Sequence, residues 1–165
     1  MIALVGCGRT DDSFPTMSSA SKPTLIPVQS NDAEMQAAMQ TARDRFPEFW
    51  REVSADYKRV IPALGGSMVK AYFHDPDAPQ RGEHMWVSEV EYDGKTISGV
   101  LADTPRQVRS VRPGQRVSFS LERLTDWFYV DDDKAIGAFT VRLLRTRMTE
   151  EQRREHDSHY PFHFE

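Results

Sequence analysis

Hydrophobic positions divide the chain into a helical front and a strand-rich remainder. Met35, Ala38, Met39, Ala42 and Phe46 recur at i, i+3, i+4, i+7 and i+11, one stripe of an amphipathic helix. Asn31 and Glu34 have capping-box spacing, so the helix is expected to begin near Asn31. Pro47 is expected to end or kink it, and a second short helical stretch runs on past Phe49 and Trp50 towards Tyr57. The stripe reads as packing against the domain's own sheet.

From Ser67 the period falls to two. Val69, Ala71 and Phe73 alternate until Asp75-Pro76-Asp77-Ala78-Pro79 breaks the run. His84 to Tyr92 and Lys95 to Leu101 flank Asp93-Gly94, a pair favoured in type I′ hairpins. Asp103-Thr104-Pro105 reads as the start of a short helix, and Arg112-Pro113-Gly114-Gln115 as a type II turn. Val117, Phe119 and Leu121 alternate again. Trp127–Val130 and Ala135–Leu144 are expected to pair across Asp131-Asp132-Asp133-Lys134, and Thr149 with Gln152 marks a short helix near the end. The sum is an α+β fold: an N-terminal helix packed on a strongly twisted antiparallel sheet of about six strands, with a short C-terminal helix. Its expected parts are residues 1–7, a truncated lipoprotein signal; 8–29, a flexible tether; 30–148, the folded domain; and 149–165, a short helix and polar tail.

Composition narrows the class. With 165 residues, 39% hydrophobic and 10% aromatic, the chain can build one core. No apolar run approaches the roughly 18 residues of a membrane span. The balance of 21 basic against 25 acidic residues disfavours a nucleic-acid binder, and one cysteine excludes an internal disulfide framework. That cysteine closes Leu4-Val5-Gly6-Cys7, the pattern of a bacterial lipoprotein signal with Cys7 as lipid-attachment site. The apolar run before it is shorter than a full signal core, hence the reading as truncated. The following stretch has prolines at 15, 23 and 27 and many serines, suited to a tether. The expected address is the periplasm, with membrane contact through the lipid alone.

Several segments resemble the bacterial family called domain of unknown function 2314, the YegJ-like proteins. They are Asn31-Asp32-Ala33-Glu34-Met35 leading to Phe46-Pro47-Glu48-Phe49-Trp50, Glu83-His84-Met85-Trp86-Val87, Asp93-Gly94 and Pro113-Gly114-Gln115-Arg116-Val117. Asp126-Trp127-Phe128-Tyr129 with Gly137, Phe139-Thr140 and Arg142 completes the set. The resemblance implies a small domain that is envelope-associated in many members, and it carries no established catalytic residues.

Candidate chemistry is sparse. His156, His159 and His163 have the i, i+3, i+7 spacing of a zinc or copper site on a helix, but Pro161 interrupts that helix and the segment reads as a frayed polar tail. Asp131-Asp132-Asp133 lacks the glycine and distal glutamate of an EF-hand. Glu83 and His84 adjoin in a strand and so face opposite ways. Hydrolase, zinc-protease and nucleotide-binding motifs are absent from the sequence, and no cofactor is expected. Arg106, Arg109, Arg112 and Arg116, together with Trp127, Phe128 and Tyr129, are the candidate partner-binding residues, the mix enriched at interface hot spots. The expected function is that of a non-enzymatic, lipid-tethered protein-binding domain, in its sharpest form an immunity protein that neutralises a cognate antibacterial toxin. The alternatives are a metal-handling or metal-dependent enzyme using the C-terminal histidines, or an envelope housekeeping lipoprotein.

Overall fold

The computed structural model describes residues 32–164, so Cys7, the stretch expected as a tether and Asn31 lie outside the described residues. Two helices, α1 (Ala33–Asp44) and α2 (Phe46–Asp56), precede strands β1 (Leu64–His74), β2 (Gly82–Tyr92), β3 (Thr96–Leu101) and β4 (Arg116–Ser120). A 3₁₀ turn at Leu121–Arg123 leads to β5 (Leu124–Asp131) and β6 (Lys134–Gly137), then α3 (Phe139–Thr146), α4 (Glu150–Asp157) and β7 (His163–Phe164). The strands form one sheet in the order β4-β3-β2-β1-β5-β6-β7, antiparallel except at β6–β7. The fold is α+β, with seven strands where about six are expected.

Asp32 caps α1 by accepting the Met35 N–H at 3.1 Å. Pro47 does not simply end the helical region. It sits in the first turn of α2, where its missing N–H costs nothing, and the chain bends at Arg45 (φ -96°, ψ 4°). The apolar stripe is thereby split between helices, with Met35 and Ala42 buried on α1 and Phe46, Phe49 and Val53 on α2. Ala42, Phe46, Phe49 and Val53 pack on the sheet face that carries Val69, Ala71, Met85, Val87 and Trp127.

The sheet curls around that core. Phe73 on β1 meets Phe119 on β4 edge to face at 5.8 Å, although three strand spacings on a flat sheet would separate them by about 14 Å. A bulge in β2 supplies part of the curl: pairing with β3 shifts between Ser88 and Glu91, and Glu89 has φ 50°. Gly99 lies across the bulge, and a Cβ there would stand 2.4 Å from the Ser88 carbonyl oxygen.

Several local expectations are corrected. The β2–β3 turn is not type I′: Tyr92 pairs with Ile97, the central residues are Gly94 and Lys95, and of the two only Gly94 has positive φ (95°). The Asp93 carboxylate instead accepts the N–H groups of Lys95 and Thr96. Asp103-Thr104-Pro105 starts no helix, because the Asp103 carboxylate is occupied in accepting the Trp86 N–H at 2.8 Å. The type II turn holds, with Gly114 at φ 74° and Gln115 N–H on the Arg112 carbonyl.

The largest difference concerns Ala135–Leu144, expected as one strand. β6 ends at Gly137, and Ala138 takes a left-handed conformation (φ 55°) before α3 begins. Gly137 has φ 94°, and a Cβ there would lie 2.5 Å from the Trp127 ring and carbonyl. The strand therefore runs into Trp127 and turns away. Ala138 has no side chain to cap α3. Asp126, twelve residues earlier on β5, caps it by accepting the N–H groups of Phe139 and Thr140, both at 2.9 Å. It also accepts the Thr140 hydroxyl and its neighbour's Trp127 N–H, so a fully buried carboxylate has four donors.

The capping box at Thr149 and Gln152 forms as expected. The segment beyond α4 is no frayed tail. Tyr160, Phe162 and Phe164 pack with Met68, Trp86 and Phe128 on the sheet face opposite α1 and α2, and β7 adds to β6. Both sheet faces thus carry apolar clusters.

Two substitutions test this packing by urea denaturation. Asp126→Ala should lower the unfolding free energy by about 3–5 kcal/mol, since it strands buried donors and the Lys70 charge opposite. Trp127→Ala, at a side chain 1% exposed, should cost about 3–5 kcal/mol. A loss below about 1 kcal/mol in either would contradict the arrangement described.

Candidate functional site: an arginine loop braced by carboxylates

The segment between β3 and β4 has no regular structure, yet its backbone is held at many points. Glu83, at the start of β2, accepts the N–H groups of Arg106 (2.9 Å), Gln107 (2.5 Å) and Val108 (2.7 Å). Asp75, just beyond β1, accepts those of Arg109 (3.0 Å) and Ser110 (2.8 Å). Gly114 N–H reaches the Leu101 carbonyl at 2.8 Å, and Val108 is buried in the helix-side core. Five successive amides are therefore satisfied by two carboxylates. Such a run of N–H groups is an anion-binding nest, here filled by the protein's own acids.

The electrostatics agree. Burial works to raise Glu83, but the amides of Val108, Gln107 and Arg106 outweigh it and hold the carboxyl below its usual range. Asp75 is lowered by the Ser110 hydroxyl and then by the Arg109 amide. Arg106, Arg109 and Arg112 project outward and exposed, and their side chains form no ion pair among the described residues. Arg116, on β4, is exposed too but is paired with Glu91.

The aromatic half of the expected surface is corrected. Trp127 is 1% exposed, donates its indole N–H to the Ala42 carbonyl at 2.7 Å and stacks on Tyr129. Phe128 points to the other face, as strand alternation requires, and is buried there against Trp86 and Phe162. Tyr129 is half-buried. The loop is held at the Asp75 end of β1, whereas Trp127 and Tyr129 pair with Val69 and Ser67 towards its other end, so these rings do not join the arginines. At the opposite end of β1 from the loop stands an exposed aliphatic tip, Val60 (100%) and Ile61 (80%).

The histidines are not brought to one point. His156 packs between Tyr160 (5.1 Å) and Phe164 (5.4 Å), His159 Nδ1 lies 2.7 Å from the Glu155 carbonyl, and His163 sits exposed on β7. Asp131, Asp132 and Asp133 form a hairpin tip in which Asp132 takes φ 54°. Among the described residues no group of three or more His, Cys, Asp or Glu is placed to share a metal ion.

One cluster was not foreshadowed by any sequence motif. On the tail side of the sheet, Lys70 pairs in register with Asp126, donates to Thr140 Oγ1 at 3.1 Å and lies 4.4 Å over the Trp86 ring. Burial lowers Lys70, against the pull of Asp126 and Asp103. His84 is near it, with Nδ1 3.1 Å from Thr125 Oγ1, and partial loss of hydration and then the Lys70 charge lower it. Asp126 interrupting an apolar strand was the available signal. The cluster's hydrogen bonds run between elements of the fold, which makes it a structural brace.

The carboxylate bracing gives the loop a pH dependence. Glu83 and Asp75 are depressed in the folded state, so their contribution is complete above the ordinary carboxylate range of about 4 and lost as pH falls through the lowered values. Amide exchange of residues 106–110, corrected for intrinsic rates, should be slow at pH 6 and accelerate below about pH 4 before global unfolding. Protection unchanged down to global unfolding would contradict the bracing.

The chain matches, over residues 32–164, the model of a family described as an uncharacterized protein conserved in bacteria, DUF2314. It is 36% identical over 138 residues to a protein named as a putative ankyrin repeat protein from Neisseria meningitidis serogroup B, covering 83% of this chain and 54% of that relative. It is 32% identical over 72 residues to the uncharacterized protein YegJ of Escherichia coli K12, covering 44% of this chain and 47% of YegJ. The chain thus spans about half the length of the curated relatives it matches, and no solved structure matches it. The expected resemblance holds across the whole described region: this chain belongs to the DUF2314 family.

Proposed function

We propose that this chain is a protein-binding domain that meets an acidic partner through Arg106, Arg109 and Arg112. In its sharpest form it is an exported, lipid-tethered immunity protein that neutralises a cognate toxin in the bacterial envelope. The observation that carries the binding reading is the bracing of the loop: Asp75 and Glu83 occupy its backbone donors, while the guanidinium groups remain outward and unpaired among the described residues. A loop already fixed before binding loses less entropy on complex formation, and arginine is enriched at interface hot spots. The envelope address rests on Leu4-Val5-Gly6-Cys7 and the polar stretch after it.

The binding reading is tested in the native host with the tagged full-length chain, crosslinked and recovered for mass spectrometry. One acidic partner near one-to-one is expected. An Arg106→Ala/Arg109→Ala/Arg112→Ala variant with an unchanged unfolding midpoint should weaken its binding at least tenfold, about 1.4 kcal/mol. Equal binding by that variant would remove the loop from the interface. The address is tested by cell fractionation of the native gene product. Wild-type protein should stay with membranes and Cys7→Ser should leave them, whereas identical partition of the two would refute lipid attachment.

A further inference from the structure

The last described segment is built as an arm. None of the residues of α4 is buried, and its first and last turns are charged. A helix polar on all sides acts as a spacer rather than a core element. Beyond it, Tyr160, Phe162 and Phe164 alternate like side chains of a strand and dock on Met68, Trp86 and Phe128, with Phe128 5.4 Å from Phe162 and 6.3 Å from Phe164. His163 donates its N–H to the Asp133 carbonyl at 2.7 Å, and β7 lies on the edge of β6, with Lys134 opposite His163 and Ala135 opposite Phe164. Backbone pairing on a strand edge with alternate side chains in pockets is how a sheet recognises a peptide. Here the peptide is the chain's own.

The arm hangs on a short hinge. Helical turns continue past α3 through Arg147 and Met148, whose N–H groups bond to Leu144 and Arg145 carbonyls. Thr149, with φ -65° and ψ 164°, then breaks the helix. Rotation of ψ at Thr149 towards the helical range would join α3 and α4 into one straight helix and carry the aromatic segment away from its own groove. Arg147 remains tied to the body by Asp32 and Glu34, so the pivot lies just beyond it; the ion pair of Arg145 on α3 with Asp157 on α4 spans the pivot and would re-form between two copies.

We propose that the groove of Met68, Trp86 and Phe128, with the edge of β6, accepts the Tyr160–Phe164 arm of a second copy of this chain, giving an arm-exchanged dimer. The occupant seated in the groove is this same segment, so a second copy supplies the same rings and backbone partners. Monomer and dimer differ mainly at the hinge, and concentration sets the balance.

Lys134 and His163 are exposed register partners on neighbouring strands, and a spacing of about 4.8 Å between such strands suits a disulfide. A full-length Cys7→Ser/Lys134→Cys/His163→Cys chain is equilibrated from about 1 µM to about 1 mM, oxidised and run on a non-reducing gel. The expected result is intrachain crosslinking at the low end and interchain dimer at the high end. Adding Thr149→Ala, which removes the cap that favours the bent hinge, should shift the balance roughly fivefold per arm towards dimer. Sedimentation equilibrium of the unmodified chain should show the same concentration-dependent dimer, abolished by Phe162→Ala/Phe164→Ala. Intrachain crosslinks alone with a monomer throughout, or a dimer that survives loss of both rings, would overturn the proposal.

Discussion

Burying one carboxylate at the centre of the sheet imposes the arrangement around it. An unpaired charge in such a place is prohibitive, and removing one partner of a buried pair costs several kcal/mol. Asp126 is therefore surrounded by four donors, three of them backbone amides. Meeting that demand fixes where α3 starts, and it sets Thr140 where the Lys70 ammonium can reach it. Lys70 in turn lies over Trp86, which borders the aromatic cluster of the arm. On the helix side, Trp127 binds the Ala42 carbonyl and leaves room only for glycine at 137. The two faces of the sheet are thus joined through adjacent residues of one strand.

The same device recurs towards the surface. Asp32, Asp75, Glu83, Asp93 and Asp103 each accept backbone N–H groups rather than simply decorating the exterior. A formal charge of -4 consequently understates how cationic the outward-facing side of the arginine loop is, because the acids beside it are turned inward to the backbone. Carboxylate–amide bonds are charge-assisted and short, which lets an irregular segment hold a defined shape without a helix or a ladder.

What the sequence disclosed was local. The hairpin around Asp93-Gly94, the type II turn at Gly114 and the Thr149 capping box depend on residues within a few positions of each other. The alternation that separates Phe128 from Trp127 and Tyr129 was legible for the same reason. The reading failed where the partner is remote. Phe139-Thr140-Val141 has the look of a strand, and the cap that makes it a helix is supplied from β5. Tyr160, Phe162 and Phe164 carry strand alternation, but Pro161 and the histidines gave the segment the appearance of a polar tail. Trp127 and Phe128 suggested a surface because nothing local reveals that both faces of β5 are covered. The arginines were visible as a cluster, while their bracing by acids 23 to 35 positions away was not.

Capping α3 from another strand has a kinetic meaning. An eight-residue helix is far below the length that persists alone in water, and this one lacks a cap of its own. Its first turn gains its acceptor only when β5 is in place, and its Thr140 hydroxyl meets Lys70, seventy residues distant, only when β1 has paired with β5. Closure of those long-range loops comes before any stabilisation of α3. The helix thus draws its stability from a sheet built by remote pairing, and a nascent chain released through Gly137 alone would hold β5 with its central carboxylate still awaiting most of its donors.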